Sequence, residues 1–568
     1  MVNAQSLPPT VETSQTTDVV IVGSGPTGLM AAALLSRCGV RIRIFDKSEQ
    51  QAHESRAFGV HAKSMELFLN MGLADEFLNR GLIPSGVQVF VDGEPVGGFN
   101  FDDIGRADTP YSFILMVPQW EIEAILVDDL RRLGVEVEHN VEVVGFDSTN
   151  EGVIVHAKDK TGASLEVRGT YLIGADGAHS IVRKTMGLSF EGAAYAQGFL
   201  LADCKIDWPL DYDHMKMFLR GRNLAVYLPL KGKEFGRIIA IKPMESDTAA
   251  PLESQGSSEL PLEEVEQALR EASGIDITLR DPVWTSRYRI HHRAVNRYVA
   301  GRVFVAGDAA HIHSPAGAQG MNTGLQDAAN LVWKLVLVIK GKAPSRLLET
   351  YHSERWPIGQ KILNYTDRLF TGISSQSGWV TSLRNKLIPI FATTLSRSGT
   401  IRAKAFHFLS QLGIRYHESE FVLDASSAEA PRAWREGLTA GRRAPNALFA
   451  RNRDVFGLIQ GYRFHVLALS RQPLSAEEIQ SLTERLACLP KTIGIEIETH
   501  LIVHSLAGRD PRILQAESNQ VFEAYGLSAD IPQALFLIRP DGYIAFRADR
   551  LDIERLKEFI QRLSETHS

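Results

Sequence analysis

The feature that most constrains this chain is a glycine-rich turn near its start. An apolar run at residues 18–22 leads into the turn GSGPTG at residues 23–28, and a helical stretch then continues to Gly39. Glycines at this spacing permit a tight turn, let the backbone approach a pyrophosphate, and allow the helix to pack closely on the strand. A second apolar run ends at Asp46, where a carboxylate can accept ribose hydroxyls. The pattern predicts a βαβ unit that binds a dinucleotide, and by itself it leaves NAD and FAD as alternatives.

Two later segments also place a turn between an apolar strand and a helix. The first is GADGAHS at residues 174–180, with Arg183 following. Taken alone, it is compatible with an ordinary Asp-Gly turn and a helix cap. The second runs from GDAAH at residues 307–311 to Asn322, where a loop enters a helix. A helix N-terminus suits the electron-rich edge of a reduced isoalloxazine ring, because its dipole stabilises negative charge. This last segment favours FAD over NAD.

The order of strand-like and helical runs predicts an α/β protein of several domains. We expect a flexible tail at residues 1–16, a Rossmann-like FAD-binding domain and an inserted β-sheet domain that binds substrate. A β-α-β-α-β-β-α order after the linker predicts a thioredoxin-like α/β domain. The expected boundaries are 17–80, 105–188 and 291–395 for the FAD-binding domain, 81–104 and 189–290 for the substrate domain, 396–436 for the linker and 437–568 for the thioredoxin-like domain.

The composition argues against several classes of function. A formal net charge of −6 over 568 residues gives no sign of a basic stripe for a nucleic-acid backbone. The three cysteines have neither metal-ligand nor CxxC spacing, so we expect a reducing compartment, no disulfide framework and no metal site. Glycine and proline interrupt the apolar stretch at the first turn, and neither a signal peptide nor a membrane span is predicted. We therefore expect a cytoplasmic protein.

These motifs, in this order, resemble the group A FAD-dependent aromatic hydroxylases, the family of p-hydroxybenzoate hydroxylase, phenol hydroxylase and pentachlorophenol monooxygenase. The most specific stretch is GDAAHIHSPAGAQGMNTGLQDAANLVWKL at residues 307–335, and residues 55–78 and 351–355 also match. The resemblance covers residues 16–370, and the C-terminal part resembles the thioredoxin-like domain of the phenol-hydroxylase and polyketide-hydroxylase branches. It implies FAD as cofactor, NADPH or NADH and O2 as co-substrates, and a small aromatic substrate. Because the C-terminal domain has no CxxC, we expect it to have a structural or homodimer-forming role.

The resemblance also assigns roles to individual residues. The cofactor contacts that it implies are Gly23, Gly25, Pro26, Thr27, Gly28, Asp46, Lys47, Arg56, Gln119, Asp176, Arg183, Asp308, Gly320, Met321 and Asn322. Among them, Asp46 would bind the adenosine ribose and Asp308 the ribityl chain. Pro315 is the expected catalytic position, because it would lie beside the flavin with its carbonyl near the hydroperoxide.

The family's chemistry transfers oxygen from a flavin C4a-hydroperoxide to an activated ring after NAD(P)H has reduced the FAD. We therefore expect hydroxylation of a phenolic or polyketide-type ring. The alternatives are a Baeyer–Villiger or substituent-removing oxidation on the same fold and, in another class, a non-catalytic flavin-binding protein. Phe58 stands where phenol hydroxylase carries an acid, so a substrate more acidic, larger or more activated than a simple phenol fits better. We expect His311 and His313 to pack or hydrogen-bond rather than act as a general base.

Candidate substrate contacts come mainly from one strand. Alternation along residues 284–293 puts Arg287, Arg289 and His291 on one face and aromatic residues on the other. The pattern does not decide which face lines the substrate site. These three polar residues, with Tyr227 as a hydrogen-bond donor, are the expected substrate contacts.

Overall fold

The computed structural model describes residues 16–51, 57–104, 108–243, 260–313, 317–374, 378–504 and 513–564. Its first sheet consists of β1 (Thr17–Val22), β2 (Ile42–Phe45), β7 (Glu142–Ser148), β8 (Val153–Lys158), β9 (Ser164–Gly174), β15 (Val299–Ala300) and β16 (Val303–Val305). The spatial order is β15-β16-β9-β1-β2, with β8 beside β9 and β7 beside β8. Strands β2, β1, β9 and β16 run parallel, so their carboxyl ends meet at one edge of the sheet.

Helices pack around this sheet, and we call the sheet and these helices together the first layer. They are α1 (Pro26–Arg37), α2 (Ala62–Asn70), α3 (Ala74–Arg80), α4 (Gln119–Arg132), α5 (Ile181–Thr185), α7 (Gln319–Ile339) and α8 (Glu349–Ser374). Helix α1 begins at Pro26, whose fixed φ suits the first helical position, and the chain leaves it through Gly39 at φ 71°. Helix α7 packs against α1 and is buried along almost its whole length. No helix in the described part of the chain is both long and apolar enough to cross a membrane.

The second sheet is mostly antiparallel. Its strands are β4 (Gly86–Val91), β5 (Glu94–Asn100), β10 (Phe190–Asp207), β11 (His214–Arg220), β12 (Asn223–Pro229), β13 (Phe235–Pro243), β14 (Thr278–Val295) and β17 (His311–Ile312). They lie in the order β17-β14-β10-β13-β12-β11-β4-β5, and β4 joins β11 in parallel. Helix α6 (Leu262–Ser273) packs on one face. The other face packs on the first layer near a short strand pair, β3 (Gly59–Val60) and β6 (Leu115–Met116).

Residues 396–436, which we expected to form a linker, contain two helices. Helix α9 (Gly378–Arg397) packs on β5, and α10 (Gly399–Leu409) and α11 (Arg432–Glu436) follow it. The chain is ordered into helices here because apolar side chains such as Phe406 and Trp434 are buried in the cores on either side.

The third sheet belongs to the C-terminal domain. It contains β18 (Leu423–Asp424), β21 (Phe464–Ser470), β22 (Ile497–Val503), β23 (Ile513–Gln515), β24 (Gln533–Ile538) and β25 (Ile544–Ala548) in the order β18-β25-β24-β21-β22-β23. The remaining elements are the pair β19 (Leu448–Ala450) and β20 (Arg453–Asp454) and the helices α12 (Val455–Leu458), α13 (Ala476–Ala487), α14 (Gln520–Ala524) and α15 (Ile553–Ser564). The α/β fold class expected from the sequence is confirmed, and the thioredoxin-like assignment of this domain stays a prediction.

Buried charges join the third sheet to the first layer. Glu354 of α8 accepts hydrogen bonds from Arg539 at 2.9 and 3.0 Å and from Lys334 of α7 at 2.9 Å. Arg539 also pairs with Asp541 in the turn between β24 and β25. Burial alone would raise the pKa of Glu354, but Arg539 and Lys334 outweigh it and hold that pKa far below its ordinary value. The junction therefore depends on a complete set of paired charges.

We predict that Glu354→Gln destabilises the protein by about 3–5 kcal/mol, because Lys334 then loses its carboxylate partner and the buried Arg539 keeps only Asp541. Urea unfolding followed by circular dichroism measures this as a lower midpoint. The matched control is Glu436→Gln, which removes an exposed carboxylate that pairs with Arg432 in α11 and should cost less than about 0.5 kcal/mol. Equal midpoints for the two variants would contradict the prediction.

Candidate functional site

The sequence motifs meet at the carboxyl edge of the first sheet. Asp46 follows β2, the turn at residues 23–28 follows β1, Asp176 follows β9, and Asp308 follows β16. The last residues of these strands are level, since Val22 pairs with both Phe45 and Gly174, and Gly174 pairs with Val305. Ligands of open α/β sheets bind at this edge. Segments that are far apart in the sequence therefore lie side by side along one edge of the sheet, where a crevice forms.

The first turn requires its glycines. Gly23 has φ 101°, and a Cβ there would lie 2.4 Å from the Ala175 carbonyl oxygen; at Gly28 it would lie 2.0 Å from the Gly23 oxygen. Gly25 differs, because a Cβ there would meet nothing within 4 Å, and this residue caps α1 without a side-chain hydrogen bond. The turn thus packs closely on one side and leaves the first amides of α1 without a side-chain cap. Pro26 is the first residue of this helix. These are the features that a pyrophosphate needs.

Asp46 is held as an acceptor beside this turn. Its carboxylate accepts hydrogen bonds from the Ser24 amide at 2.7 Å, from the Ser24 hydroxyl at 2.8 Å and from the Ser48 amide at 2.9 Å. Burial raises its pKa, but the bonds from Ser24 and Ser48 outweigh this and lower it. The carboxylate is therefore ionised at neutral pH, and the exposed Lys47 follows it. A ribose hydroxyl can donate to an oxygen in this state.

Glu123 is a site residue that sequence reasoning missed. It is buried in α4, accepts a hydrogen bond from Gln119 Nε2 at 2.8 Å, and lies close enough to Asp46 to repel it. Burial is the main cause that raises its pKa to about 7, and Asp46 adds to the effect although Gln119 opposes it. The sequence did contain a sign of this contact, because Gln119 and Glu123 are spaced i, i+4 on one helix.

Asp176 and Arg183 organise the second turn. Asp176 Oδ2 accepts hydrogen bonds from the amides of Ile181 and Val182 at the start of α5, while its buried Oδ1 has no hydrogen-bond partner among the described residues. Arg183 is buried and donates to the carbonyls of Ala178 at 2.7 Å and Ala309 at 3.1 Å. These bonds join the second turn to the third.

The third turn is fixed by a buried carboxylate. Asp308 lies in a short 3-10 turn that begins at Gly307, where φ is 59°. Asp327 of α7 accepts hydrogen bonds from the Gly307 amide at 3.2 Å, from His311 Nε2 at 2.6 Å and from Arg355 Nε at 2.7 Å. The exposed Asp308 side chain is thus presented from a turn held to α7 and α8.

The histidines after this turn form a buried chain. His313 Nε2 lies 2.9 Å from His311 Nδ1, and His311 in turn contacts Asp327. Burial, with His311 nearby, holds the pKa of His313 well below its ordinary value, so that ring is neutral at neutral pH. The arrangement supports the hydrogen-bonding role expected for both residues.

The start of α7 is an open helix N-terminus. Its first turn contains no acidic residue, and Ala318 before it has φ 52° and no side-chain cap. A Cβ at Gly320 would meet nothing within 4 Å, and Met321 is half-buried at the core. Asn322 has a second function, because its side chain donates to the carbonyls of Gly59 at 2.7 Å and Ala318 at 2.8 Å. The amides of this turn are compatible with an electron-rich flavin edge.

His61 is a second residue that the sequence analysis missed. Its amide donates to Asn322 Oδ1 at 2.9 Å, and its Nε2 lies 2.8 Å from the Gly317 carbonyl. Burial lowers the pKa of His61 to about 4, so the neutral ring donates its Nε2–H to that carbonyl. Arg56 and Pro315, both expected at the site, lie outside the described residues.

The second sheet presents an aromatic and aliphatic face to the first layer. Phe199, Leu201 and Ile239 of the sheet pack there with Phe58 and Met116. Tyr288 stacks on Phe199 with ring centroids 5.5 Å apart, and Trp284 joins the same group. The face of β14 that turns toward the first layer is therefore the aromatic one.

Tyr227 and Arg287, both expected as substrate contacts, lie on the α6 side of the second sheet. Tyr227 is buried on the opposite face, beneath α6, with its ring 4.7 Å from that of Trp208. Arg287 points to the same side and pairs with Glu264 of α6. Neither side chain faces the first layer, because strand alternation assigns them to the α6 side. The side chain of Arg289 is not among those described, and His291 is buried opposite Ala194.

A buried ion pair lies within the aromatic face. Arg237 of β13 donates from Nε and Nη2 to the two Asp203 oxygens, each at 2.7 Å. Its guanidinium lies 5.1 Å from the centroid of the Phe58 ring and 5.8 Å from that of Trp284. The remaining nitrogen, Nη1, is buried and has no hydrogen-bond partner among the described residues. The cation that carries this nitrogen thus adjoins Phe58.

We predict that Glu123→Gln changes how stability depends on pH. The folded pKa of Glu123 is raised from 4.5 to about 7, so the wild-type protein loses stability as pH rises through that window. The amide still accepts the bond from Gln119 but carries no charge. The free energy of unfolding of the variant should therefore exceed that of the wild type by up to roughly 3 kcal/mol above pH 7, and by little below pH 4.5.

Thermal unfolding of the wild type and Glu123→Gln at pH values on either side of that window tests this expectation. Glu136→Gln is the control, because that side chain is exposed to water and the substitution should add no pH dependence. A constant difference between Glu123→Gln and the wild type at all pH values would show that burial does not raise this pKa.

Comparisons with known proteins agree with this geometry. Residues 16–366 match the family described as FAD binding domain. The flavin-dependent monooxygenase of Mycobacteroides abscessus is 33% identical over 478 residues, 82% of this chain and 91% of that protein. Pentachlorophenol 4-monooxygenase of Sphingobium chlorophenolicum is 29% identical over 561 residues, 94% of this chain and 95% of its own length.

Solved structures show the same architecture. The anhydrotetracycline hydroxylase OxyS of Streptomyces rimosus superimposes with a TM-score of 0.69 and 28% identity, over 98% of this chain and 100% of that one. Because the family match covers more than half of the chain and the relatives are monooxygenases over nearly their whole length, the sequence, the fold and the crevice lead to one assignment. The chain belongs to the FAD-binding-domain family and is a flavin-dependent monooxygenase with FAD as its cofactor.

Proposed function

We propose that this enzyme hydroxylates an aromatic ring bearing an acidic oxygen, such as an activated phenol or a polyketide-type phenolate. The observation that carries the proposal is the buried Arg237–Asp203 pair on the aromatic face of the second sheet. The relatives support the reaction class, since they include a pentachlorophenol 4-monooxygenase and an anhydrotetracycline hydroxylase. FAD, reduced by NAD(P)H, activates O2 for transfer to the ring, and the protein supplies binding and electrostatics.

The Nη1 donor of Arg237, for which the described part of the chain offers no partner, supports an anionic substrate oxygen. A buried guanidinium N–H without a partner is costly, and an oxygen anion satisfies it with a charge-assisted hydrogen bond. A carboxylate beside the ring would instead serve as a base for a neutral phenol, but Phe58 occupies that position. The chain therefore favours a ring that is already ionised when it binds. Flat aromatic neighbours such as Trp284 and Tyr288 suit such a ring.

We also propose how the cofactor is held. The turn at residues 23–28 would bind the pyrophosphate, Asp46 the adenosine ribose, Asp308 the ribityl chain, and the first turn of α7 the pyrimidine edge. The open positions at Gly25 and Gly320 support this arrangement, as do the glycine contacts in the first turn. Arg183 would act as a positioning residue, because its hydrogen bonds go to Ala178 and Ala309.

The test of the proposed reaction is a screen of phenols and aromatic polyketides for stimulated NAD(P)H oxidation. Isotopically labelled O2 and mass spectrometry of the product must accompany it, because uncoupled oxidation also consumes NAD(P)H. One labelled oxygen on the ring supports hydroxylation. A labelled ester or lactone would identify the Baeyer–Villiger alternative, and loss of a ring substituent would identify oxidative removal.

We predict that Gly28→Ala abolishes FAD retention. The added Cβ would lie 2.0 Å from the Gly23 carbonyl oxygen, so the turn must open and lose its alignment with α1. The purified variant should be colourless, as measured by the flavin absorbance relative to protein. Gly145→Ala in β7 is the control, since its Cβ meets nothing within 4 Å. A yellow Gly28→Ala protein with wild-type FAD content would refute the proposed pyrophosphate site.

We predict that Arg237→Lys lowers kcat/KM for an ionised substrate about tenfold to a hundredfold, with the loss larger for more acidic rings. Lysine keeps a positive charge beside Asp203 but lacks the planar guanidinium, which can bind Asp203 and a substrate oxygen at the same time. The measurement is substrate-stimulated NAD(P)H oxidation across a series of phenols, with FAD content and thermal unfolding as checks on folding. Arg287→Lys on the α6 side is the matched control. An equal effect of both variants would remove Arg237 from the substrate site.

A further inference from the structure

Two histidines and a glutamate come together on the third sheet, outside the site described above. His465 lies on β21, and Glu498 and His500 lie on β22, which pairs with β21 in parallel. In the register, His465 lies opposite Glu498, so the three side chains share one face of the sheet. One ligand atom from each of them lies within 4.8 Å of the other two.

The spacing of these atoms is that of ligands around one cation. His465 Nδ1 lies 3.2 Å from His500 Nε2 and 3.8 Å from Glu498 Oε2. Two imidazole nitrogens bound at about 2.1 Å to a tetrahedral Zn²⁺ lie about 3.4 Å apart. Because only one proton fits between the two facing nitrogens, they either share a hydrogen bond as neutral rings or bind the same cation.

The two histidines are buried, and Glu498 supplies the negative charge of the group. His465 and His500 are 2% and 6% exposed. Glu498 is 43% exposed and provides a carboxylate at the solvent side. Arg463 lies 3.5 Å from Glu498 but 2.8 Å from Glu496, so it keeps a carboxylate partner if Glu498 binds a metal.

We propose that His465, Glu498 and His500 bind a divalent transition-metal cation. Two imidazoles and a carboxylate are a ligand set that Zn²⁺ takes in tetrahedral sites, with water in the fourth position. The cation joins β21 to β22 and stabilises this part of the C-terminal domain. The expectation of no metal site came from the cysteines alone, whereas these ligands meet only through strand pairing. This site is independent of the proposed reaction.

The experiment uses the full-length, FAD-loaded enzyme, stripped with a chelator, dialysed, and titrated with Zn²⁺ by calorimetry. Metal analysis after a second dialysis gives the stoichiometry. We expect one Zn²⁺ per chain and a higher thermal-unfolding midpoint with Zn²⁺. Glu498→Gln keeps the size of the side chain and should weaken Zn²⁺ binding about tenfold or more, and His500→Gln should abolish it.

The matched control is Glu496→Gln on the same strand. That carboxylate is also exposed and pairs with Arg463, but it is not a ligand, so this variant should bind Zn²⁺ like the wild type. The proposal is overturned if the wild type retains no Zn²⁺, or if Glu498→Gln binds it as tightly as Glu496→Gln does. If His500→Gln fails to fold, the comparison of Glu498→Gln with Glu496→Gln still tests the proposal, because Glu498 is half-exposed.

Discussion

The edge of the first sheet depends on one buried carboxylate, Asp327. It binds the Gly307 amide and His311 from one segment of the chain and Arg355 from another, and Asp327, His311 and Arg355 are all fully buried. Burial would raise its pKa, but Arg355 and His311 outweigh that effect and keep it ionised. A buried charge of this kind is stable only with its partners in place. The turn that carries Asp308, helix α7 and helix α8 are therefore held as one unit.

Close backbone contacts complete this unit. A Cβ at Gly307 would lie 2.5 Å from Thr27 Oγ1, and a Cβ at Gly324 would lie 2.3 Å from the same atom. Thr27 thus packs α1 against both the third turn and α7, and Asn322 holds the β3 segment to the start of α7. These contacts fix the protein side of the crevice, and a Cβ at Gly25 or Gly320, at the helix N-termini that we propose for the cofactor, would meet nothing within 4 Å. Pre-organised dipoles of this kind act without rearrangement during the reaction.

Sequence reasoning succeeded where a local rule was sufficient. Glycine spacing, apolar strands and the acids at strand ends predicted the motifs that meet at the first sheet. Sequence reasoning failed where the role of a side chain depends on the residues that pack against it in the folded structure. Alternation along β14 divided its residues correctly into two faces, but the position of α6 decided that Arg287 and Tyr227 lie away from the first layer. Arg237, Glu123 and His61 carried no motif, because their importance comes from burial beside residues far away in the sequence.

The sequence by itself determined the α/β class, the FAD family and the turns that we propose for the cofactor, because these depend on residue type and short-range spacing. Only the tertiary structure decided which groups share a low-dielectric environment. It placed the cation of Arg237 beside Phe58, the carboxyl of Glu123 near Asp46, and the imidazoles of His465 and His500 face to face. Charge and protonation depend on such three-dimensional neighbours, and a linear sequence does not specify them.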